Sequence, residues 1–319
     1  MRVRCPIVHY RSSSPRMTSY IIITPAHNEE PFIERTIQSV VAQTVRPFAW
    51  VIVNDASTDQ TRTIIERYTK DYSFIQLVNV ERSAGRHFGN KVHAFNRGLA
   101  VVRDLNCDYI GNLDADVSFE SNYFENILRE FANDSKLGIA GGMIHTRRGE
   151  GYVSQEVALD SVAGAVQLFR RQCYEDVGGF LPLSQGGEDS AAEVMARMKG
   201  WKVRTLPRFR VLEHRETGSA TARPLAARVR EGRRMQSLGY GPVFFSLRCL
   251  YRAKERPRVL GSCAVFWGYL AGKFGGEPVA LPSEAVRFLR AEHRAKIKHL
   301  LHLSPGSVAG MEIESSHRS

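Results

Sequence analysis

Short apolar runs alternate with amphipathic stretches over the first 115 residues of the chain. Residues 20–24 and 50–54 are rich in β-branched side chains and are bounded by loop residues, as buried strands are. Between them, residues 31–43 place apolar side chains at helical spacing. The pattern predicts a strand, a helix and a second strand.

The same alternation continues to residue 113. We predict helices over 59–68 and 87–102 and strands over 74–78 and 109–113. Strands that alternate with helices form a mostly parallel sheet flanked by helices, and ligands bind beyond the carboxyl ends of its strands. The expected fold class is therefore α/β and Rossmann-like.

The pattern loosens after residue 116. A helix over 122–131, a strand over 137–141 and an apolar run over 165–169 surround a variable stretch at 146–160. A helical run follows over 190–199, and the chain from Arg223 onward has helical character interrupted by prolines. We predict a disordered lead-in over 1–17, an α/β domain over 18–220 and a basic helical extension over 221–319.

Charge is distributed unevenly along the chain. The 319 residues contain 44 Lys and Arg against 33 Asp and Glu. Residues 197–319 alone hold 24 basic and 9 acidic residues. Such a basic region attracts phosphates, anionic lipid or nucleic acid. The aromatic and basic motifs of RNA-binding modules are absent from the sequence, so we expect no nucleic-acid partner.

Cysteine usage and the N-terminal residues indicate a cellular compartment. The five cysteines are odd in number and widely spaced, and none forms a C-x-x-C pair. This usage fits a reducing cytosol. Residues 1–16 lack the apolar core of a secretory signal. We therefore expect a cytoplasmic protein.

The most informative chemical feature is a pair of aspartates one residue apart, Asp114 and Asp116, at the end of the predicted strand 109–113. In an extended segment, side chains at i and i+2 point to the same side. Both carboxylates can therefore approach one divalent cation or the phosphates bound to it. An Asp-x-Asp triplet also arises by chance, so the other motifs decide its meaning.

Two further motifs follow the first and second predicted strands. Residues 24–30 read Thr-Pro-Ala-His-Asn-Glu-Glu, and residues 53–59 read Val-Asn-Asp-Ala-Ser-Thr-Asp. Both also match ordinary helix starts, with a cap signal at Ser57. Asp55 precedes that cap and is not explained by it. A carboxylate in this place can accept a hydrogen bond from the edge of a base.

A third group lies in the second half of the domain. Gly186-Gly187-Glu188-Asp189 precedes the predicted helix 190–199, and His214 follows a strand-like run. The acids also fit a charged helix N-terminus, and a lone histidine is more often structural than a ligand. The functional alternative makes Asp189 a general base and His214 a metal ligand.

These motifs, in this order over about residues 20–215, resemble the family 2 glycosyltransferases. Those enzymes are inverting, use nucleotide sugars and have the GT-A fold. The resemblance implies a divalent cation, Mg²⁺ or Mn²⁺, and a nucleoside diphosphate sugar donor. It implies catalytic roles for Asp189 and Glu188, metal binding by Asp116, Asp114 and His214, and nucleotide-sugar binding by Pro25, Ala26, Asn28, Glu29, Asp55, Arg86, Lys91 and Asp114.

One departure from the family is informative. The Gln-x-x-Arg-Trp motif of the processive cellulose and hyaluronan synthases is missing after His214. The resemblance therefore implies a single transfer, with a glycan or lipid-linked acceptor, in exopolysaccharide or other cell-envelope glycan synthesis. We expect the acceptor site among residues 146–160 and the basic helices, where Arg228, Arg230, Arg233 and Arg234 can contact diphosphate or acceptor or simply face solvent.

Two other functions stay open at this point. A sugar-phosphate nucleotidyltransferase also places carboxylate-bound metal beyond an α/β sheet, but its Gly-rich loop is replaced here by Asn28-Glu29-Glu30. A non-catalytic membrane-surface scaffold has no chemical need for Asp114, Asp116 and Asp189 together.

An uncharged stretch of fourteen residues, Val259 to Gly272, lies between Arg258 and Lys273. As a helix it is about 21 Å long, too short to cross about 30 Å of hydrocarbon. It is either a buried packing helix or an interfacial helix with Trp267 and Tyr269 at headgroup depth. The second alternative places the protein on the inner face of the membrane, against an anionic surface.

Overall fold

The computed structural model describes residues 19–81, 89–155, 158–215, 224–254 and 258–302. Its strands belong to one sheet. They are β1 (Tyr20–Ala26), β2 (Ala49–Asp55), β3 (Ile75–Val80), β4 (Tyr109–Leu113), β5 (Val117–Phe119), β6 (Leu137–Arg148), β7 (Gly151–Ser154), β8 (Val166–Arg170) and β9 (Lys202–Glu213).

The α-helices lie between these strands and after the last of them. They are α1 (Ile33–Val41), α2 (Thr61–Asp71), α3 (Gly89–Val101), α4 (Tyr123–Asn133), α5 (Arg171–Asp176), α6 (Glu188–Met198), α7 (Pro224–Ser237), α8 (Pro242–Tyr251), α9 (Arg258–Phe274) and α10 (Ser283–His302).

The sheet has the strand order β3-β2-β1-β4-β8-β6-β9-β5, and β7 pairs with β6. Strands β3, β2, β1 and β4 are mutually parallel, as the alternation of strands and helices predicts. Beyond β4 only β6 and β9 pair in parallel, and the other pairs are antiparallel. The sheet is therefore mixed. Helical crossovers, which parallel neighbours require, connect β1 to β4, whereas a tight turn joins β6 to β7.

Apolar clusters cover both faces of the sheet. One contains Ile21, Val51 and Phe95 and lies under α3, α5, α6 and α10, and the other contains Ile22, Trp50 and Phe131 and lies under α1, α2 and α4. Successive residues of β1 thus point to opposite clusters, which accounts for its unbroken apolar run. The strands are apolar because helices cover both faces of the sheet, and this is why strands and helices alternate in the sequence pattern.

Several element boundaries differ from those predicted. Helix α2 begins at Thr61 rather than at residue 59, because the Asp59 carboxylate caps the helix from outside by accepting the Thr61 backbone N–H at 3.0 Å. Strand β6 runs on to Arg148, seven residues past its predicted end. Strand β9 and the short strands β5 and β7 were not predicted as such, since their alternation is irregular and their ladders form with distant strands.

The helical character predicted after Arg223 is confirmed by α7 to α10. These helices contact the sheet domain through α10 and α6, where the Arg197 guanidinium forms a 3.0 Å ion pair with Glu292. Within the described ranges, no helix is both long and apolar enough to cross a membrane.

Candidate active site

The loops after β1 and β2 are bonded directly to each other. Asn28 has a left-handed backbone, φ 56°, which asparagine tolerates better than most residues. Its side-chain oxygen accepts the Thr58 backbone N–H at 2.8 Å, and its own N–H donates to Ser57 Oγ at 3.0 Å. The Glu29 N–H donates to Thr61 Oγ1 at 2.7 Å. The two motifs therefore form one rigid rim at the carboxyl end of the sheet.

The residues expected at the nucleoside lie on this rim. Pro25 and Ala26 end β1 in register with the last residues of β2. Asp55 ends β2 and is only 8% exposed, and the His27 ring lies 2.7 Å from its carbonyl oxygen. The structure therefore places these predicted residues side by side on neighbouring parallel strands.

The predicted phosphate and catalytic residues meet around Lys91 of α3. Its ammonium group lies 2.6 Å from the Asp114 carboxylate at the end of β4. Lys91 also lines a small cavity together with Asn112, Glu188 and Asp189. Burial alone would lower the pKa of Lys91, but Asp114 and then Glu188 outweigh it and raise the pKa above its usual range. The lysine therefore stays charged, paired with Asp114 and close to Glu188 and Asp189.

Asp189 lies in the first turn of α6, which begins directly after Gly187, whose φ of 95° suits glycine. One of its carboxylate oxygens accepts the Ser190 N–H at 2.7 Å. The other faces Gly164, where a Cβ would come within 2.7 Å of it. The neighbouring Glu188 has its pKa raised by burial, a shift that Lys91 opposes. A glycine at 164 thus leaves room for the carboxylate inside the cavity.

Asp116 and Glu29 share a cation that the sequence motifs did not identify. The Arg215 guanidinium contacts both carboxylates, and its Nε lies 3.0 Å from Asp116 Oδ2. Burial raises the pKa of Glu29 to about 7, despite the opposing effect of Arg215. Burial, and then Asp114, raise the pKa of Asp116. The only sequence signal for Arg215 was its place directly after His214.

His214 is held by hydroxyl groups on both sides of its ring. Nδ1 lies 2.8 Å from the Tyr152 hydroxyl, and Nε2 lies 2.8 Å from Ser118 Oγ. Its backbone N–H donates to the Asp116 carbonyl at 2.8 Å. Burial lowers the pKa of the imidazole, so the neutral ring is favoured. His214 therefore lies beside Asp116, and it would have to release one of these hydroxyls to bind a cation.

Part of the chain matches a known family of sequences. Residues 21–174 match the sequence model of glycosyl transferase family 2. These residues belong to that family.

The relatives include glycan synthases. The chain is 24% identical over 200 residues to poly-beta-1,6-N-acetyl-D-glucosamine synthase from Staphylococcus aureus, covering 57% of this chain and 46% of that one. It is 32% identical over 120 residues to the uncharacterized glycosyltransferase EpsJ from Bacillus subtilis, covering 38% of this chain and 32% of that one. The chain thus spans less than half the length of these curated relatives.

Solved structures confirm the GT-A fold. A mannosyltransferase from Pyrobaculum calidifontis, solved with GDP-mannose and Mn²⁺, has a TM-score of 0.52 at 20% identity, covering 89% of this chain and 79% of that one. TarS residues 1–349 from S. aureus, solved with UDP-GlcNAc, has a TM-score of 0.51 at 16% identity, covering 81% and 73%.

The donor groups available at this edge of the sheet suit a hard divalent cation. In the part of the chain that the structure describes, no three His, Cys, Asp or Glu side chains are grouped to hold a metal by themselves. Asp114 and Asp116 nevertheless offer two carboxylates at one strand end. Mg²⁺ is commonly held by one or two carboxylates together with substrate phosphates. The residues present therefore fit a cation that binds along with a diphosphate.

One expected site residue cannot be placed, and one buried acid near the site was not predicted. Arg86, expected beside the nucleotide, lies outside the described residues. Glu193 was missed, although it is a buried acid among the small apolar residues of α6. It accepts hydrogen bonds from the Val162 N–H at 2.7 Å and from Ser161 Oγ at 2.8 Å. Burial raises its pKa to about 7. Glu193 thus connects the helix of Asp189 to the loop of Gly164.

Proposed function

We propose that this chain is an inverting glycosyltransferase that moves a sugar from a nucleoside diphosphate sugar to a hydroxyl acceptor in a single transfer. One observation carries the proposal: Asp114, Glu188 and Asp189 converge on Lys91, with Asp116 two residues beyond Asp114. Segments nearly 100 residues apart in the sequence thus supply one cluster of acids at the carboxyl edge of the sheet.

The donor spans this edge in the proposed complex. β1 separates β2 from β4, so Asp55 and Asp114 end strands that are about 10 Å apart at the usual strand spacing. This distance suits a nucleoside at Asp55, Pro25 and Ala26 and a diphosphate near Asp114. Asn28 and Glu29 shape the rim between them.

Asp114 and Asp116 hold the divalent cation, Mg²⁺ or Mn²⁺, in this proposal, with His214 as a further candidate ligand. When bound, such a cation neutralises negative charge on the diphosphate leaving group. Arg215 adds a positive charge next to Asp116. The two fixed cations, Lys91 and Arg215, reduce the repulsion among the carboxylates that surround them.

Asp189 acts as the general base. Its carboxylate takes the proton of the acceptor hydroxyl as that oxygen bonds to the anomeric carbon of the sugar. The bond from the anomeric carbon to the diphosphate oxygen breaks on the opposite face, and the nucleoside diphosphate leaves. One displacement inverts the configuration and needs one base. Glu188 supports the site through its interaction with Lys91.

The acceptor is a glycan or a lipid-linked sugar. The name of the S. aureus relative, a poly-beta-1,6-N-acetyl-D-glucosamine synthase, supports a role in exopolysaccharide or other envelope glycan synthesis. The missing Gln-x-x-Arg-Trp motif supports a single transfer. We place the protein in the cytoplasm, peripheral to the inner face of the membrane, with residues 221–319 as a basic helical extension.

The test is the release of nucleoside diphosphate from a panel of nucleotide sugars with Mn²⁺, by transfer or by slow hydrolysis. Asp189→Asn should lower the transfer rate by about 10² or more while donor binding persists, since only the proton acceptor is lost. Asp104→Asn, at an exposed turn position, is the matched control. Wild-type turnover in Asp189→Asn would remove this residue from the base role.

The same assay separates the alternatives. A sugar-phosphate nucleotidyltransferase would release pyrophosphate from a nucleoside triphosphate and a sugar phosphate, and would leave nucleotide sugars intact. A non-catalytic scaffold would release neither product. Either outcome would refute the glycosyltransferase proposal. The anomeric configuration of the product, read by NMR, tests inversion, and the chain length of the product tests single transfer.

A further inference from the structure

Helix α9 turns large apolar side chains toward solvent. Trp267 is 66% exposed and Phe274 is 81% exposed, and Val259, Leu260 and Phe266 are also exposed. Leu260, Trp267 and Phe274 recur every seven residues, which places them along one side of the helix. A surface helix normally presents polar residues on this side.

The opposite side of α9 packs against α7. Gly268 lies against the backbone of Val229 in α7, and Gly232 of α7 lies against the backbone of Val265 in α9, so that a Cβ at either glycine would overlap it. Small residues thus let the two helices cross closely. Because this side holds the helix, the bulky apolar residues cannot be buried by rotating α9.

The two aromatic residues expected at headgroup depth do not share a side of α9. Tyr269 is 5% exposed, its ring stacks on Phe245 at 4.0 Å, and its hydroxyl donates to the Tyr240 carbonyl at 2.7 Å. Residues two positions apart point in different directions on a helix, so Tyr269 is buried where Trp267 is exposed. The interfacial alternative therefore fits Trp267 but not Tyr269.

Helix α8 has a second exposed apolar stripe. Val243, Leu247, Leu250 and Tyr251 recur at helical spacing, and Leu250 is 73% exposed. The two helices pack together, with the Ser262 hydroxyl donating to the Cys249 carbonyl at 3.0 Å. Two neighbouring helices therefore both leave apolar residues exposed in the described structure.

Positive charge is exposed on the helix next to α8. Arg287, Arg294 and Lys298 are exposed on α10 at spacings of seven and four residues, and so follow one side of that helix. The His293 ring of α10 stacks on Phe244 of α8 at 3.7 Å, which fixes the two helices next to each other. Lys273 is exposed at the end of α9. Exposed apolar side chains and exposed cations thus occur on neighbouring helices of this region.

We propose that α8 and α9 bind in the headgroup region of an anionic lipid bilayer, with α10 contacting the acidic headgroups. Trp and Tyr side chains such as Trp267 and Tyr251 favour that depth, and each nearby Lys or Arg adds attraction to anionic lipid. At about 1.5 Å per residue, the 17 residues of α9 are shorter than the hydrocarbon core, so the helix lies in the interface plane.

The charge also favours lipid over a second copy of this chain. A symmetric dimer through this face would bring the same basic residues of both copies together, and like charges oppose association. This surface would hold the protein at the membrane, the peripheral location proposed above, whether or not the transfer reaction takes place. Nucleoside diphosphate release in solution reports on the reaction, and vesicle binding reports on this surface.

The experiment is flotation of the full chain with vesicles of phosphatidylcholine, with and without one quarter phosphatidylglycerol. The wild type should bind the anionic vesicles, and less so as salt rises. The double variant Trp267→Ser, Phe274→Ser should bind at least about tenfold more weakly, since two large apolar side chains no longer enter the interface. Phe48→Ser is the control, because Phe48 is 59% exposed on the sheet domain.

Charge is tested with Arg294→Glu, Lys298→Glu, which should weaken binding to anionic vesicles by at least about tenfold. Far-ultraviolet circular dichroism and nucleoside diphosphate release show that each variant is folded. The proposal is overturned if the wild type does not float at low salt, or if both double variants float like wild type. It is also overturned if the wild type is a dimer in solution that the Trp267, Phe274 variant converts to a monomer.

Discussion

Replacing Glu193 by glutamine should remove most of the change in the free energy of unfolding with pH that the titration of Glu193 causes. Glu193 is 3% exposed, and burial raises its pKa from the ordinary 4.5 to about 7. Between these values the folded protein holds a proton that the unfolded chain has released. The free energy of unfolding therefore falls as pH rises from about 4.5 to about 7, and the loss is complete above that range.

The size of the effect follows from the shifted pKa. A change from 4.5 to about 7 corresponds to about 3 kcal/mol between pH 4.5 and 8, as an order of magnitude. Glutamine has nearly the same shape and can still accept the Val162 N–H. The Ser161 hydroxyl, which now donates to Glu193, can rotate and accept instead. The variant therefore keeps the packing and loses the titration.

The measurement is urea unfolding of wild type and Glu193→Gln at steps from pH 5 to pH 8. The variant should be more stable relative to wild type at pH 8 than at pH 5, by up to about 3 kcal/mol. Glu150→Gln, at an exposed turn between β6 and β7, should follow wild type at every pH. Parallel pH curves for wild type and Glu193→Gln would refute the assignment of a buried, protonated glutamate at this position.

Three further outcomes follow from the structure. Gly232→Ala should lower the free energy of unfolding by about 1 to 3 kcal/mol, because the added methyl group overlaps the α9 backbone. Gly151→Ala, at a position with open space around it, should leave the free energy of unfolding unchanged. Thermal unfolding of the two variants measures the difference. Asp116→Asn should weaken Mn²⁺ binding in the presence of a nucleoside diphosphate at least about tenfold by calorimetry, and unchanged affinity would contradict its role as a ligand. Arg215→Ala should tighten Mn²⁺ binding several-fold in the absence of nucleotide, because the guanidinium no longer competes with the cation for Asp116. Weaker Mn²⁺ binding in this variant would contradict that competition.

Local patterns in the sequence predicted the first half of the sheet. Strands β1, β2 and β4 follow from apolar runs that are buried on both faces, and the helices between them follow from apolar positions at helical spacing. Asp55, Asp114 and Asp116 could be singled out because a parallel strand presents the residues just past its end at a known edge. Their roles in donor and metal binding stay predictions.

The mixed pairing beyond β4 could not be predicted in the same way. β9 pairs with β6 and β5, whose residues lie far away in the chain, and no local signal specifies such partners. The partners of β9 are settled only when the whole sheet forms, because they depend on where the other strands lie.

What the sequence by itself determined is which segments are apolar, where the helices and strands of residues 20–113 lie, and which acids follow strand ends. Only the tertiary structure decided which side chains from distant parts of the sequence contact each other. Arg215 joins Glu29 across 186 positions, and Glu193 faces the loop of Gly164. The glycines of α9 face α7, which leaves Trp267 exposed. The physical reason is that composition and periodicity specify the sides of an element, whereas contact with a distant element depends on how the whole chain packs.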